Sequence, residues 1–124
     1  MKVIETKKAP AAVGPYSQAI EINGFLFASG QVAIDPEVGK IVATDIEGQA
    51  EQACKNVGAI LNAAGIDFSN VVKTTCFLTD ISNYPKFNEI YGKYFVSKPA
   101  RSCVAVKDLP LGALCETEIV GSRN

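Results

Sequence analysis

The sequence predicts an α+β or mixed α/β domain in which one β-sheet carries two helices. Three observations lead there. Two segments place apolar residues at helical spacing, several other runs are β-branched or apolar over strand lengths, and the two kinds interleave along the chain. At 124 residues the chain can bury one core but not two, so residues 1–124 are expected to form a single domain.

Val3 and Ile4 begin a short strand, and a Lys-Lys-Ala-Pro-Ala-Ala loop follows it. Gly14-Pro15 turns the chain and delivers Tyr16 and Ser17 to the head of the next strand. Asn23-Gly24 lies between Ala19–Ile22 and Phe25–Ala28, a strong hairpin signal because both turn residues tolerate positive φ. Gly30 ends the second of these strands. A glycine there marks a bulge or a place where a ligand meets bare backbone. Val32–Ile34 continues extended, and Asp35–Lys40 turns the chain.

The first helix is expected from Thr44, with Glu47 at capping-box spacing and Asp45 in the first turn. Ile46, Ala50, Ala53, Val57, Ile60 and Ala64 make one stripe, and Gly65 is placed to end it. Val71–Thr79 is a β-branched strand. Pro85 suits the first turn of a second helix, whose buried side holds Phe87, Ile90, Tyr91 and Tyr94. Pro99 opens a strand over Arg101–Val106, Asp108, Pro110 and Gly112 turn the chain, and Ala113–Val120 returns beside it as a closing hairpin.

In that last strand Leu114, Glu116, Glu118 and Val120 share a face, while Arg101 opens the strand expected to lie opposite. A guanidinium grips a carboxylate through two parallel hydrogen bonds, and a nearby glutamate supplies a base. Spacing alone leaves two readings open: a cross-strand ion pair, or a binding site for a small acid. Burial would raise the pKa of Glu116 and a neighbouring Arg101 would lower it, so the sign awaits the structure.

Composition narrows the chemistry. With a net charge of −1 and a pI near 5.4, no positive field draws phosphate backbones, which disfavours nucleic acid. No apolar run reaches the ~20 residues of a membrane span, and Met1–Glu5 is unlike a signal peptide, so a soluble cytoplasmic protein is expected. Histidine is absent, and Cys54, Cys76, Cys103 and Cys115 are scattered without a CxxC. That argues against metal ligation and against Ser-His or Cys-His nucleophiles. Acid–base chemistry would fall to carboxylates, tyrosine, lysine or thiol.

The strands also predict company. Right-handed crossovers put both helices on one face of the sheet, yet Phe25–Ala28 and Cys76–Leu78 are apolar on both sides. Sheets of that kind are covered twice. Leaving about ten such side chains wet forfeits something like 1.5–3 kcal/mol each. A closed homo-oligomer that buries the bare face is therefore expected.

Four blocks, Gly14–Ala19, Ala28–Gln31, Val72–Asp80 and Pro99–Val104, resemble in order the successive signatures of the RidA (YjgF) family, across essentially the whole chain. The resemblance implies a chorismate-mutase-like α+β fold, a mixed sheet with two helices on one face, assembled as a homotrimer with sheets packed inward and clefts between subunits. It implies an enamine/imine deaminase that needs no metal or organic cofactor. Its substrates would be 2-aminoacrylate and 2-imino acids, by-products of pyridoxal-phosphate enzymes such as serine/threonine dehydratase. The family's carboxylate-gripping arginine falls on Arg101, its water-handling glutamate on Glu116 and its tyrosine on Tyr16. Its pocket-lining backbone falls on Ser29-Gly30 and Cys103, and the polar helix residue of its cleft on Asn88. Rival roles associated with the family are a keto-acid-binding regulator, a chaperone-like protein and a translation-inhibiting ribonuclease-like protein.

Overall fold

The computed structural model describes residues 1–124. The strands are β1 (Lys2–Ile4), β2 (Ala19–Ile22), β3 (Phe25–Gln31), β4 (Ile34–Asp35), β5 (Lys40–Ile41), β6 (Val71–Leu78), β7 (Ala100–Ala105) and β8 (Cys115–Ser122). The helices are α1 (Ile46–Ala63) and α2 (Tyr84–Tyr94). Six strands form one mixed sheet in the order β1-β2-β3-β8-β6-β7, and β4-β5 make a separate ribbon. No helix is long and apolar enough to cross a membrane.

Local chemistry sets most boundaries. Asn23 and Gly24 both take positive φ, as a tight hairpin turn between β2 and β3 requires. The α1 cap is Asp45, one residue later than Thr44: its carboxylate accepts from the Gly48 amide at 2.8 Å. Gly65, at φ +77°, ends α1 as expected, and the whole Ile46–Ala64 stripe is buried. The β4-β5 ribbon is too short to carry a periodic signal.

The end of the chain corrects the sequence reading. β7 and β8 are not a hairpin. β6 lies between them, parallel to β7 and antiparallel to β8. The turn residues at 108–112 were legible, but turn chemistry does not say which strands pair across it. A parallel β6–α2–β7 crossover leaves β7 on the outer edge, and β8 fills the gap between β3 and β6.

Pairing register sorts the side chains. Thr74 pairs with both Arg101 and Ile119, so these three share the face that meets the helices. Phe77 pairs with both Val104 and Glu116, which share the opposite face. The helix-side core includes Leu26, Cys76, Leu78, Ile119, Ile60 and Phe87. No element of the chain covers the other face. Ile22, Phe25, Phe27 and Val104 stand exposed there, close to half for Phe27 at 47%, beside the half-buried Phe77 and Val120.

Three buried amides tie irregular backbone to this frame. Gln18 accepts from the Thr6 amide at 2.7 Å and donates to the carbonyls of Thr6 and Pro10 at 3.0 and 2.8 Å. Asn56 on α1 donates to the carbonyls of Val32 and Ile34. Gln49 links the Ala43 carbonyl to the Leu114 amide. Gln18→Leu should destabilise the fold by about 2–4 kcal/mol in equilibrium denaturation, because it strands buried backbone groups of the first loop. A loss below half a kcal/mol would show that water replaces the amide.

Candidate functional site

Arg101 enters from the edge strand β7 on the helix side. Its Nη1 donates to Asn88 Oδ1 at 2.7 Å and its Nη2 to the Tyr84 hydroxyl at 2.8 Å. The guanidinium lies over the Tyr91 ring, 4.7 Å from its centroid. Tyr91 is itself fixed by a 2.7 Å hydrogen bond with Thr74 and by stacking on Phe95. The head group is thus held on one side and one face. The chain's two ion pairs are Lys86–Glu47 and Arg123–Glu21, so no carboxylate neutralises Arg101. A half-buried, oriented guanidinium without a counter-charge is suited to an incoming anion.

Tyr84, Asn88 and Tyr91 recur at i, i+4 and i+7 on α2. Asn88 was expected here. Tyr84 was missed, and Tyr91 was assigned only to the buried side, although the shared stripe was visible in the sequence. What the sequence lacked was the knowledge that β7 follows α2 onto the sheet edge and lays Arg101 across that stripe.

Glu116 occupies the open face and lines a cleft of about 500 Å³ with Gly30, Tyr16, Gln31, Pro110 and Leu111. Burial, with a smaller contribution from the Glu118 charge, pushes its carboxyl above the ordinary glutamate range. Arg101 does not offset this, being on the other face. The cross-strand Arg101–Glu116 pair is excluded within one chain, and the two residues line separate cavities.

Gly30 belongs to a bulge, where the β3–β8 register shifts between Ala28 and Gln31. A Cβ at Gly30 would lie 2.8 Å from both Cδ and Oε1 of Glu116, so the carboxylate rests against bare backbone. Gly30→Ala should push the Glu116 head group off this seat, because its side-chain atoms occupy the place of the new Cβ.

Tyr16, half exposed, stands at the mouth of the same cleft. Ser29 does not line it. Its hydroxyl donates to the Ser17 carbonyl at 2.6 Å and its amide to the Gln18 carbonyl at 2.9 Å, which docks the Tyr16 segment against the bulge. Cys103 lies two residues beyond Arg101 on the same face, half-buried, with burial raising its thiol pKa against a smaller opposing pull from Arg101. A thiol held protonated is a poor nucleophile. As the last strand of the sheet, β7 has a free edge along which backbone N–H and C=O groups lack a strand partner. The other cysteines are buried, with Cys76 pushed up to about 11 and Cys115 to about 12. No three Cys, Asp or Glu side chains converge as a metal-ligand set.

The chain therefore carries two half-sites: an anion anchor at the sheet edge and a carboxylate cleft on the open face. Comparison with known proteins gives these halves a context. Residues 6–122 match the family model described as endoribonuclease L-PSP. A human protein named 2-iminobutanoate/2-iminopropanoate deaminase is 49% identical over 96% of this chain and 88% of its own length. An Arabidopsis thaliana protein, reactive intermediate deaminase A (chloroplastic), is 50% identical over 98% of this chain and 65% of its own. The crystal structure of Escherichia coli TdcF with bound serine superposes with a TM-score of 0.95 at 38% identity, covering all of both chains.

Proposed function

Since this chain belongs to the endoribonuclease L-PSP family, the RidA (YjgF) family, we propose that it is an imine deaminase, hydrolysing 2-aminoacrylate and 2-imino acids to 2-keto acids and ammonia. The observation that carries the mechanism is the oriented, uncompensated guanidinium of Arg101. The substrate has a carboxylate beside an electrophilic C=N carbon. Arg101 takes the carboxylate and so fixes that carbon. Glu116 accepts a proton from water as the oxygen attacks the carbon and the C=N π bond opens onto nitrogen. The proton returns to nitrogen to give the tetrahedral carbinolamine; Glu116 then passes the carbinolamine hydroxyl proton to nitrogen, the C=O bond forms as the C–N bond breaks, and ammonia leaves. Water supplies the keto oxygen, so the balance closes without an oxidant or a cofactor. Tyr16 shuts the mouth of the cleft, and edge backbone near Cys103 can bond the ligand.

The two half-sites sit on different faces, so a working site needs a second copy. A neighbour docked on the bare sheet face brings its Arg101 edge to this chain's Glu116 cleft. Repeated around a ring, that contact closes as a homotrimer with sheets inward, burying Phe27, Phe77 and Val104. Serine held by the similar E. coli protein supports a small amino-acid-like carboxylate as ligand. Pyridoxal-phosphate dehydratases are the class of enzyme that would release such imines. Cleavage of RNA is disfavoured by the net charge of −1 and the absence of histidine.

The test couples a dehydratase to keto-acid release across pH. Glu116 acts as the ionised base, so kcat/KM should fall as pH drops and its carboxyl takes up a proton; burial raises the pH of that limb and the neighbour's Arg101 draws it back down. Glu116→Gln should bind 2-keto acids yet lose most turnover and this acid limb. Normal turnover in Glu116→Gln removes Glu116 from the mechanism.

A further inference from the structure

We infer that Leu111, with Val13, forms an apolar lip that selects 2-imino acids with larger uncharged side chains, an inference that rests on the deaminase reading above. Leu111 lies in the short 3₁₀ turn Pro110–Gly112 at φ +60° and ψ 23°, left-handed backbone that a leucine adopts only under strain. The strain is not repaid by burial, because the side chain stands 70% exposed. Its direction is nevertheless specific: it lines the cleft that holds Glu116. Val13, 90% exposed, and Tyr16, 52% exposed, come to the same cleft from the first loop. Three large, exposed side chains from two segments thus line the cleft of one carboxylate.

The reacting carbon has three substituents, and two are spoken for. The carboxylate goes to Arg101, and the imine nitrogen must face the proton held by Glu116. The third, the amino-acid side chain, is left to run along the cleft wall toward Leu111. Val32, Ile34 and Pro110 line the same cleft with Leu111, so its wall is apolar. No lysine or arginine lines it, and Glu116 is its sole charge. With Arg101 already engaged by the substrate's own carboxylate, an acidic side chain would meet Glu116 unneutralised, whereas an apolar one covers the exposed leucine and valine.

The experiment generates imines in situ from leucine, alanine and glutamate with an amino-acid oxidase and measures kcat/KM for each. The wild type should prefer the leucine-derived imine over the glutamate-derived one by more than about tenfold. Leu111→Gly, which suits the left-handed backbone, should lower the leucine-to-alanine ratio by roughly tenfold, and Leu111→Met should keep most of it. Any loss common to both substrates cancels in that ratio. A ratio unmoved by Leu111→Gly overturns the lip while leaving the deaminase reading intact. If the wild type accelerates none of the three imines, the deaminase reading itself fails.

Discussion

Arg101→Ala should lower kcat/KM for imine hydrolysis by on the order of 10²–10³-fold, with oligomeric state and thermal stability little changed. The size follows from what the guanidinium does. It contributes no internal ion pair, and its two bonds to Asn88 and Tyr84 leave donors free to take a carboxylate as a fork. Without it the substrate loses both its charge partner and the orientation that sets the C=N carbon before the water. Arg101→Lys should recover little, because an ammonium on a flexible stem has no planar fork to meet Asn88 and a ligand together. Both kcat and KM should worsen, as orientation and binding fail together. Near-wild-type rates in Arg101→Ala would end the anchoring role.

The second large effect concerns assembly. Phe27→Asp places a charge in the middle of the bare sheet face, where Phe27 pairs in register with Ile20 and Val120. Each half-exposed aromatic or aliphatic side chain on that face gains roughly 1 kcal/mol when covered, and a buried carboxylate there would cost several times as much. The variant should sediment as a folded monomer and show no deaminase activity, since Arg101 and Glu116 line separate cavities in one chain. Mixing refolded Arg101→Ala with Glu116→Gln supplies the complementary result. In a randomly assembled ring of three, about a quarter of inter-subunit sites regain both native residues. Activity should therefore appear on mixing two inactive proteins. An active Phe27→Asp monomer, or no recovery on mixing, would place the whole site within one chain.

Several features were legible before any coordinates. The Asn23-Gly24 turn, the α1 stripe, the Gly30 bulge and the doubly apolar strands each follow from residue-by-residue stereochemistry. Arg101 stood out for the same reason, as did Glu116 and Glu118 together, polar residues placed in strand patterns with apolar neighbours; the family resemblance singled out Glu116. Asn88 and Tyr16 came through family resemblance, and the structure puts them beside Arg101 and Glu116 respectively. Ser29 came the same way, for its backbone, and its hydroxyl donates to the Ser17 carbonyl in the loop that carries Tyr16. The closing hairpin failed because two strands joined by a turn look alike in sequence whether or not a third slips between them.

The sequence by itself determined the elements, the apolar surplus of the strands, and the residue types able to handle water and a small acid without histidine. Those are local matters, set by backbone preference, side-chain period and functional-group chemistry. Only the tertiary structure decided that β6 separates β7 from β8, and with it that Arg101 and Glu116 look out from opposite faces of one sheet. Strand order is a long-range choice made by the packing of α1 and α2 on the sheet. Because side chains alternate with period two, that choice of partners and register fixes which face each residue serves.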